Sequence, residues 1–266
     1  MGRLTVKELL DLKGRKKLAL TTAFDYNTAK AADIAGIDLI VTWGQVTDTM
    51  DELVITLGEV RRGAPNTMIG AGVSRADAYT SESEAIKCAM AALEHGADVI
   101  YCSGLELSKV KALARQRIPY VGHVGLVPVH STWFGGLRAV GKTCDEAIKV
   151  YTDTLAFQEA GAIAVEMECV PREVAKEITR KTDILTFSMG SGGECDGQFI
   201  FSCDLLGSHD LHYPRHAIKY CNFFEDSINA FKSYKSDIDH NIYPGVQHSI
   251  EITNEEFEKF LEMLNK

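Results

Sequence analysis

The sequence predicts an α/β fold of the TIM type, a (β/α)8 barrel, on three observations. Its 266 residues match the size of one α/β barrel domain. Eight short apolar runs lack polar alternation, which is typical of parallel strands buried on both faces. Helical patterns separate these runs as far as about residue 210. We therefore expect a single domain over residues 1–266, with a more polar C-terminal segment from about residue 207.

The eight predicted strands are apolar runs that end in a small, polar or charged residue. They cover residues 18–24, 39–43, 67–73, 99–103, 120–125, 162–168, 184–189 and 199–203.

The intervening helices carry start and stop signals. Three Ser or Thr residues precede a Glu by three positions, the capping-box spacing in which hydroxyl and carboxylate each accept from an otherwise unpaired amide. These pairs are Thr5 with Glu8, Ser81 with Glu84, and Thr143 with Glu146. Pro171 suits the first turn of the helix after strand six. Gly96 and Gly161 suit helix ends, so strand and helix alternate as a barrel requires.

Composition excludes several classes of function. The formal net charge of −9 and the pI of about 5.4 give no electrostatic reason to expect nucleic acid or an anionic membrane as partner. The first residues contain no apolar stretch that would resemble a signal peptide or a membrane span. The 7 cysteines form no C-x-x-C pair, which favours reduced thiols in a cytoplasmic protein. The partner that we expect is a small-molecule substrate.

Candidate catalytic residues stand where strands end, because that face carries the active site of such barrels. Glu168 ends an apolar strand, and burial would raise its pKa toward the range of a general base. The alternative is a rim glutamate paired with a lysine or arginine. His123 stands in a Gly-His-Val-Gly run whose small residues let a ligand approach, although a single histidine is often structural. Cys169 and Cys203 have no neighbour that would lower a thiol pKa, so we expect packing roles.

Two further patterns are weak signals. The glycine-rich run 189–193 follows strand seven and could cradle an anion, but a tight turn needs glycine anyway. His212 and His216 have a spacing that could hold a metal on a helix. Pro214 between them argues against a helix, so we expect no metal there.

Eight motifs stand in the order found in one known family. They are TAFDY (22–26), RRGAPN (61–66), GHVGL (122–126), FGG (134–136), ECVP (168–171), DGQ (196–198), DLLG (204–207) and, late in the chain, PG with HS (244–249). Over about residues 4–250 the chain resembles the ketopantoate (3-methyl-2-oxobutanoate) hydroxymethyltransferase family of the phosphoenolpyruvate mutase/isocitrate lyase superfamily.

The resemblance implies an aldol-type addition. In that family a magnesium-bound 2-oxo acid loses a β-proton, and its enolate attacks the one-carbon unit of 5,10-methylenetetrahydrofolate. The catalytic glutamate of the ECVP motif corresponds to Glu168, and the active-site histidine of the Gly-His motif corresponds to His123. The resemblance also implies a homo-oligomer, with a decamer as one form.

The departures from the family concentrate at the metal half of its site. The family has Gly-Asp-Ser after strand two, where this chain has Trp43-Gly44-Gln45. The aspartate that ends strand three is Gly72, and the lysine and glutamate of strand four are replaced within a Tyr101-Cys102-Ser103 run. The loop before residue 61 is also shorter, and Cys203 stands where a histidine is usual.

We therefore expect no Mg²⁺ at these positions, because Mg²⁺ prefers anionic oxygens and only the Ser103 hydroxyl remains. A carboxylate from the shortened loop is the alternative. The candidates are Asp48, Asp51 and Glu52.

Two functions remain open on the sequence. The first is a metal-independent enzyme of altered specificity, in which Glu168 and His123 transfer protons and other side chains bind the substrate. The predicted substrate-binding residues are Trp43, Gln45, Gly72, Tyr101, Ser103 and Arg138. The second is a non-catalytic relative that keeps the fold and binds a ligand or partner.

Overall fold

A computed structural model describes residues 2–266 and contains a closed barrel of eight parallel strands in chain order. The strands are β1 (Leu18–Thr22), β2 (Leu39–Trp43), β3 (Met68–Gly72), β4 (Val99–Tyr101), β5 (Tyr120–Gly125), β6 (Ala164–Glu168), β7 (Leu185–Met189) and β8 (Gly197–Ile200). The ring closes through pairing of β1 with β8. The predicted (β/α)8 barrel is confirmed.

The eight predicted strands are all present, and their limits differ by a few residues. The largest difference is in β8, which begins at Gly197 and ends at Ile200 rather than covering 199–203. The chain leaves the sheet there because a short helix begins at Ser202, whose amide donates to the Thr22 hydroxyl (2.9 Å).

Helices connect successive strands from β1 to β7, and further helices precede β1 or follow β8 in the chain. They are α1 (Val6–Asp11), α2 (Tyr26–Ala35), α3 (Met50–Gly63), α4 (Arg75–Ala78), α5 (Glu82–Glu94), α6 (Leu107–Arg115), α7 (Cys144–Ala160), α8 (Arg172–Lys181), α9 (Ser202–Leu206), α10 (Phe223–Asp239) and α11 (Asn254–Leu264). Short 3-10 segments cover Pro128–Phe134 and Val246–His248. The segment that contains His212 and His216 is not helical, as Pro214 predicts.

All three predicted Ser and Thr caps form, but one of the three is a complete capping box; Ser81 caps α5 without the reciprocal bond from Glu84. Thr5 and Glu8 make a complete capping box. Thr143 caps α7, but the Glu146 carboxylate accepts from the amides of Gly141 and Lys142 and pairs with Arg138, so the reciprocal half of the box is not made. Gly161 ends α7 with φ +91°, a backbone region that glycine adopts without a Cβ penalty.

The core has two layers that follow from strand alternation. One set of side chains fills the barrel interior, among them Leu20, Val41 and Phe187. The set on the opposite strand face, which includes Ile40 and Ile69, packs against the helices. Along β6 the residues at 164, 166 and 168 share the inward face, so this alternation directs two glutamates into the barrel.

The chain divides into two compact units. The first comprises residues 1–205 and 211–219 and contains the barrel. The second comprises residues 206–210 and 220–266 and contains α10 and α11. The expected amphipathic helix at the C-terminus is α11, which Thr253 caps. The single-domain assignment stays a prediction.

Among the described residues, no helix combines the length and the apolar character needed to cross a membrane.

Arg61 of the RRGAPN motif is a structural residue. It lies mostly buried between α3 and β4 and donates to the carbonyls of Ala64 (2.9 Å), Thr67 (3.0 Å) and Gly96 (2.9 Å). Its guanidinium also pairs with Asp98 at 2.6 Å. Without Arg61, the mostly buried Asp98 keeps the half-exposed Arg3 guanidinium, 3.3 Å away, as its cationic partner, and the three carbonyls lose a donor.

We predict that Arg61→Ala lowers the free energy of unfolding by about 3 kcal/mol. Arg62→Ala is the matched control, because Arg62 is exposed and pairs only with exposed Glu59; its effect should stay within about 0.5 kcal/mol. Urea unfolding followed by tryptophan fluorescence measures both. Equal effects of the two substitutions would refute the structural role of Arg61.

Candidate active site

A cavity of about 410 Å³ opens at the carboxyl ends of the strands. This is the end of a barrel at which side chains from several strands and loops converge. The lining residues are Val41, Trp43, Gly44, Gln45, Asp48, Gly72, Val73, Arg75, Tyr101, Cys102, Ser103, Val121, His123, Pro128, Val129, Glu166, Glu168 and Phe201.

The pairing of β5 with β6 brings an imidazole and two carboxylates together. Register places His123 beside Glu166, and Gly125 beside Glu168. His123 Nε2 lies 3.1 Å from Glu168 Oε2 and 3.8 Å from Glu166 Oε1. Gly125 allows this approach: its φ is +85°, and a Cβ there would lie 2.4 Å from the Glu168 carbonyl oxygen.

His123 is held from one side only. Its Nδ1 lies 2.9 Å from the Ser103 hydroxyl, whereas Nε2 is buried and makes no aligned hydrogen bond, so its contact with Glu168 is electrostatic. Burial by itself lowers the pKa of His123, but the nearby carboxylates of Glu166 and Glu168 outweigh it, and the net pKa is raised. The raised pKa favours the protonated form of the imidazole beside these two acidic groups.

Glu166 and Tyr101 are the most deeply buried polar groups of the cavity. Burial raises the pKa of Glu166 to about 7; the charge of His123 opposes this rise, and the Glu168 carboxylate adds a smaller increase. Burial also raises the pKa of Tyr101 well above its ordinary value, and its hydroxyl has no hydrogen-bond partner. Gly70 makes room for this ring, because a Cβ there would lie 2.7 Å from Tyr101 Cε2.

The cysteines near the strand ends are poor thiolate nucleophiles. Burial raises the pKa of Cys169 and Cys203 and raises that of Cys102 to about 12. The expectation of packing roles for Cys169 and Cys203 agrees with these shifts.

The positions that correspond to the family's metal ligands do not fit Mg²⁺. A Cβ on Gly72 would lie 2.9 Å from the Cβ of Trp43, and a Cβ on Gly44 would lie 3.0 Å from Glu52 Oε2. Longer acidic side chains therefore have no room at either position without movement of their neighbours. Of these positions, Ser103 offers one neutral hydroxyl, and Mg²⁺ prefers several anionic oxygens.

The loop carboxylates are already engaged. The Glu52 carboxylate accepts from the amides of Gln45 (3.0 Å), Val46 (2.8 Å) and Thr47 (2.8 Å), and these bonds lower its pKa to about 2. Asp48 lines the cavity and lies 3.5 Å from Arg75. Neither Asp51 nor Glu52 reaches the cavity lining. In the cavity, one group of three could hold a metal instead: the ligand atoms of His123, Glu166 and Glu168 lie within 4.8 Å of one another.

Most of the predicted site residues meet in this cavity. Those that line it are Trp43, Gln45, Gly72, Tyr101, Ser103, His123 and Glu168. Arg138 does not: it donates to the Phe134 carbonyl (2.7 Å) and pairs with Glu146 (2.6 Å), which turns its charge toward α7.

Sequence reasoning missed Glu166 and Arg75, and it considered Asp48 only as an alternative metal ligand. The two-residue spacing between Glu166 and Glu168 on one strand would have indicated a shared inward face. Arg75 and Asp48 lie on loop and helix-start segments whose direction no sequence pattern fixes.

Comparison with known proteins now identifies the family. The model of ketopantoate hydroxymethyltransferase matches residues 3–246. The chain belongs to this family. It is 33% identical to 3-methyl-2-oxobutanoate hydroxymethyltransferase of Kosmotoga olearia, with 93% of this chain and 98% of the relative covered. It is 35% identical to the same enzyme of Alkaliphilus metalliredigens, with 96% and 98% covered.

Solved structures share the fold. A 2,3-dimethylmalate lyase of the PEP mutase/isocitrate lyase superfamily matches with a TM-score of 0.59 at 14% identity, covering 98% of this chain and 96% of the other. Phosphonopyruvate hydrolase in complex with oxalate and Mg²⁺ also gives 0.59, at 10% identity, covering 98% and 97%. Family membership makes this chain an enzyme of the transferase or lyase type that acts on carbon–carbon bonds.

We predict that the pKa of His123, measured by NMR titration, lies above its ordinary value of about 6.5 and falls in Glu168→Gln. Removing a neighbouring anion destabilises the imidazolium, so the shift must be downward. His95, which is exposed and whose Nδ1 contacts the Ala91 carbonyl, is the internal control and should not move. An unchanged His123 titration would show that Glu168 does not set the charge of the imidazole.

Proposed function

We propose that this enzyme makes or breaks a carbon–carbon bond beside the carbonyl of a 2-oxo acid through an enolate, with altered specificity and without the family's metal site. One observation carries the proposal. Glu168 and His123, the proposed proton-transfer pair, lie 3.1 Å apart in the cavity lining, whereas the positions of the family's metal ligands are Gly44, Gly72 and Ser103, which together offer one neutral hydroxyl.

Glu168 is the base in this proposal. Its carboxylate lies at the cavity wall, mostly shielded from water, where a β-proton of a bound 2-oxo acid can approach it. The neighbouring imidazolium of His123 orients the carboxylate, and Ser103 holds the ring from its other nitrogen. The pair therefore resembles the acid/base half of the family site.

Arg75 is the residue best suited to the substrate carboxylate. Arg75 is the one lysine or arginine among the lining residues. Its ion-pair contact with Asp48 is long, at 3.5 Å. Its guanidinium can therefore turn to a bidentate carboxylate contact. This role replaces the one predicted for Arg138, whose charge is used outside the cavity.

The cavity wall favours a substrate of different shape from that of the relatives. Trp43 packs edge-on against Phe24 (ring centroids 4.7 Å apart) and against Phe201 (5.5 Å). This aromatic group occupies the strand-two end, where the resemblance implies a metal-bound substrate. Trp133, 87% exposed, is outside the cavity lining.

The second substrate follows from the family. The curated relatives are named for hydroxymethyl transfer, and we propose a one-carbon donor of the 5,10-methylenetetrahydrofolate type as one partner for the enolate. A cytoplasmic location and a homo-oligomer remain part of the proposal.

We predict that the protein catalyses β-proton exchange in D₂O of at least one of a series of 2-oxo acids that includes 3-methyl-2-oxobutanoate, and that Glu168→Gln lowers the rate by at least about 10²-fold. Proton NMR of the 2-oxo acid measures this without a second substrate. A wild-type protein that exchanges no 2-oxo acid supports the non-catalytic, ligand-binding alternative. Unchanged exchange in Glu168→Gln would remove Glu168 from the mechanism.

For Arg75→Gln we predict a KM for the 2-oxo acid raised about 10- to 100-fold, because a charge-assisted bidentate contact is worth roughly 1.5–3 kcal/mol. Arg62→Gln, on the exposed face of α3, is the matched control and should leave KM unchanged. Steady-state exchange kinetics decide between them. If KM is the same in all three proteins, Arg75 does not bind the carboxylate.

A further inference from the structure

Glu166 is a buried carboxyl group that faces the cavity and that proton abstraction by Glu168 does not use. It lies on the inward face of β6, one pair of residues deeper in the barrel than Glu168. In the register of the sheet its strand neighbours are His123 on β5 and Phe187 on β7. Within residues 2–266, the one ion-pair contact of Glu166 is to His123 at 3.8 Å.

We propose that Glu166 is held as a neutral carboxylic acid and that its O–H, together with the Tyr101 hydroxyl, donates hydrogen bonds to the substrate oxygen that becomes the enolate. The inference rests on the proposed enolate chemistry. It assigns to two side chains the stabilisation of oxygen charge that the family resemblance assigns to magnesium.

The first argument is that two carboxylates compete for one cation. His123 Nε2 lies closer to Glu168 (3.1 Å) than to Glu166 (3.8 Å), so Glu168 is the nearer partner of the imidazole. No lysine or arginine pairs with either glutamate in the described chain. A buried carboxyl group without a cation of its own favours its neutral form.

The Tyr101 hydroxyl also supports a bound oxygen acceptor at this position. It is fully buried, has no hydrogen-bond partner, and lines the same cavity as Glu166. An unsatisfied buried donor is costly unless a bound ligand supplies an acceptor. A tyrosine hydroxyl beside a neutral carboxyl group in an apolar site is a recognised way to hold an oxyanion.

The proton-transfer step balances with these groups alone. Glu168 takes the proton from the carbon beside the carbonyl, and the C–H electron pair forms the new C=C bond. The carbonyl π electrons move to oxygen, where the O–H groups of Glu166 and Tyr101 donate hydrogen bonds to the developing charge. When the carbon attacks its electrophile, the electrons return and both donors keep their protons.

The proposal requires Glu166 to be protonated in the active form of the enzyme. The titratable groups that face it are His123 on β5, Glu168 on its own strand and Tyr101 on β4, while β7 presents the apolar Phe187. Burial raises the pKa of Glu166 to about 7. The donor is therefore lost as pH rises above about 7, and β-proton exchange should fall over the same range.

The experiment compares wild type, Glu166→Gln and Glu166→Leu by β-proton exchange in D₂O between pH 5.5 and 9, with the 2-oxo acid that wild type exchanges fastest. Glutamine keeps an N–H donor that does not titrate, so the decline of exchange above about pH 7 should disappear while activity is retained. Leucine removes the donor, so exchange should fall about 10²- to 10³-fold at every pH. Circular dichroism checks the fold of each variant.

Three results would overturn the proposal. One is a decline above pH 7 that persists in Glu166→Gln, and another is Glu166→Leu as active as wild type. The third is calorimetric binding of Mn²⁺ to wild type that Glu166→Gln abolishes, which would make Glu166 a metal ligand. If wild type exchanges no 2-oxo acid, the proposed function itself is refuted. If wild type exchanges normally and Glu168→Gln abolishes exchange, that function stands whatever the results for Glu166.

Discussion

The parallel register between β5 and β6 is the constraint on which the site depends. It sets His123 against Glu166 and lets the backbone at Gly125 approach that at Glu168, so one imidazole serves two carboxylates. The charges of these groups are therefore coupled by the sheet and not by loop conformation. Strand alternation then turns all three side chains toward the barrel interior, where water is scarce and electrostatic effects are strong.

The other half of the site has been rebuilt by packing. Trp43 fills the space beside Gly72. The oxygens of the Glu52 carboxylate accept hydrogen bonds from the amides of residues 45–47, so they are not free to bind a cation. These changes support one another, because a single restored aspartate would meet a neighbour that has already occupied its volume. The departure from the family's metal ligands at these positions therefore involves several residues together.

The barrel, the helix caps and most cavity residues could be predicted, because apolar runs, capping pairs and strand-end positions are local signals. Arg138 was placed in the cavity from its charge alone, and local pairing with Glu146 overrides that placement. Glu166 was overlooked because the sequence shows only that it shares a strand with Glu168. That His123 is the cationic partner of both carboxyl groups is visible only in the structure. Burial and competition for a cation exist only in the folded sheet.

Formation of an enolate without a metal ion would distinguish this protein from the family mechanism. Its test is β-proton exchange of a 2-oxo acid by protein treated with EDTA, with bound metal quantified by mass spectrometry. We expect undiminished exchange by protein that carries far less than one ion per chain. Exchange that disappears with the metal and returns as Mg²⁺ or Mn²⁺ saturates one site per chain would contradict it.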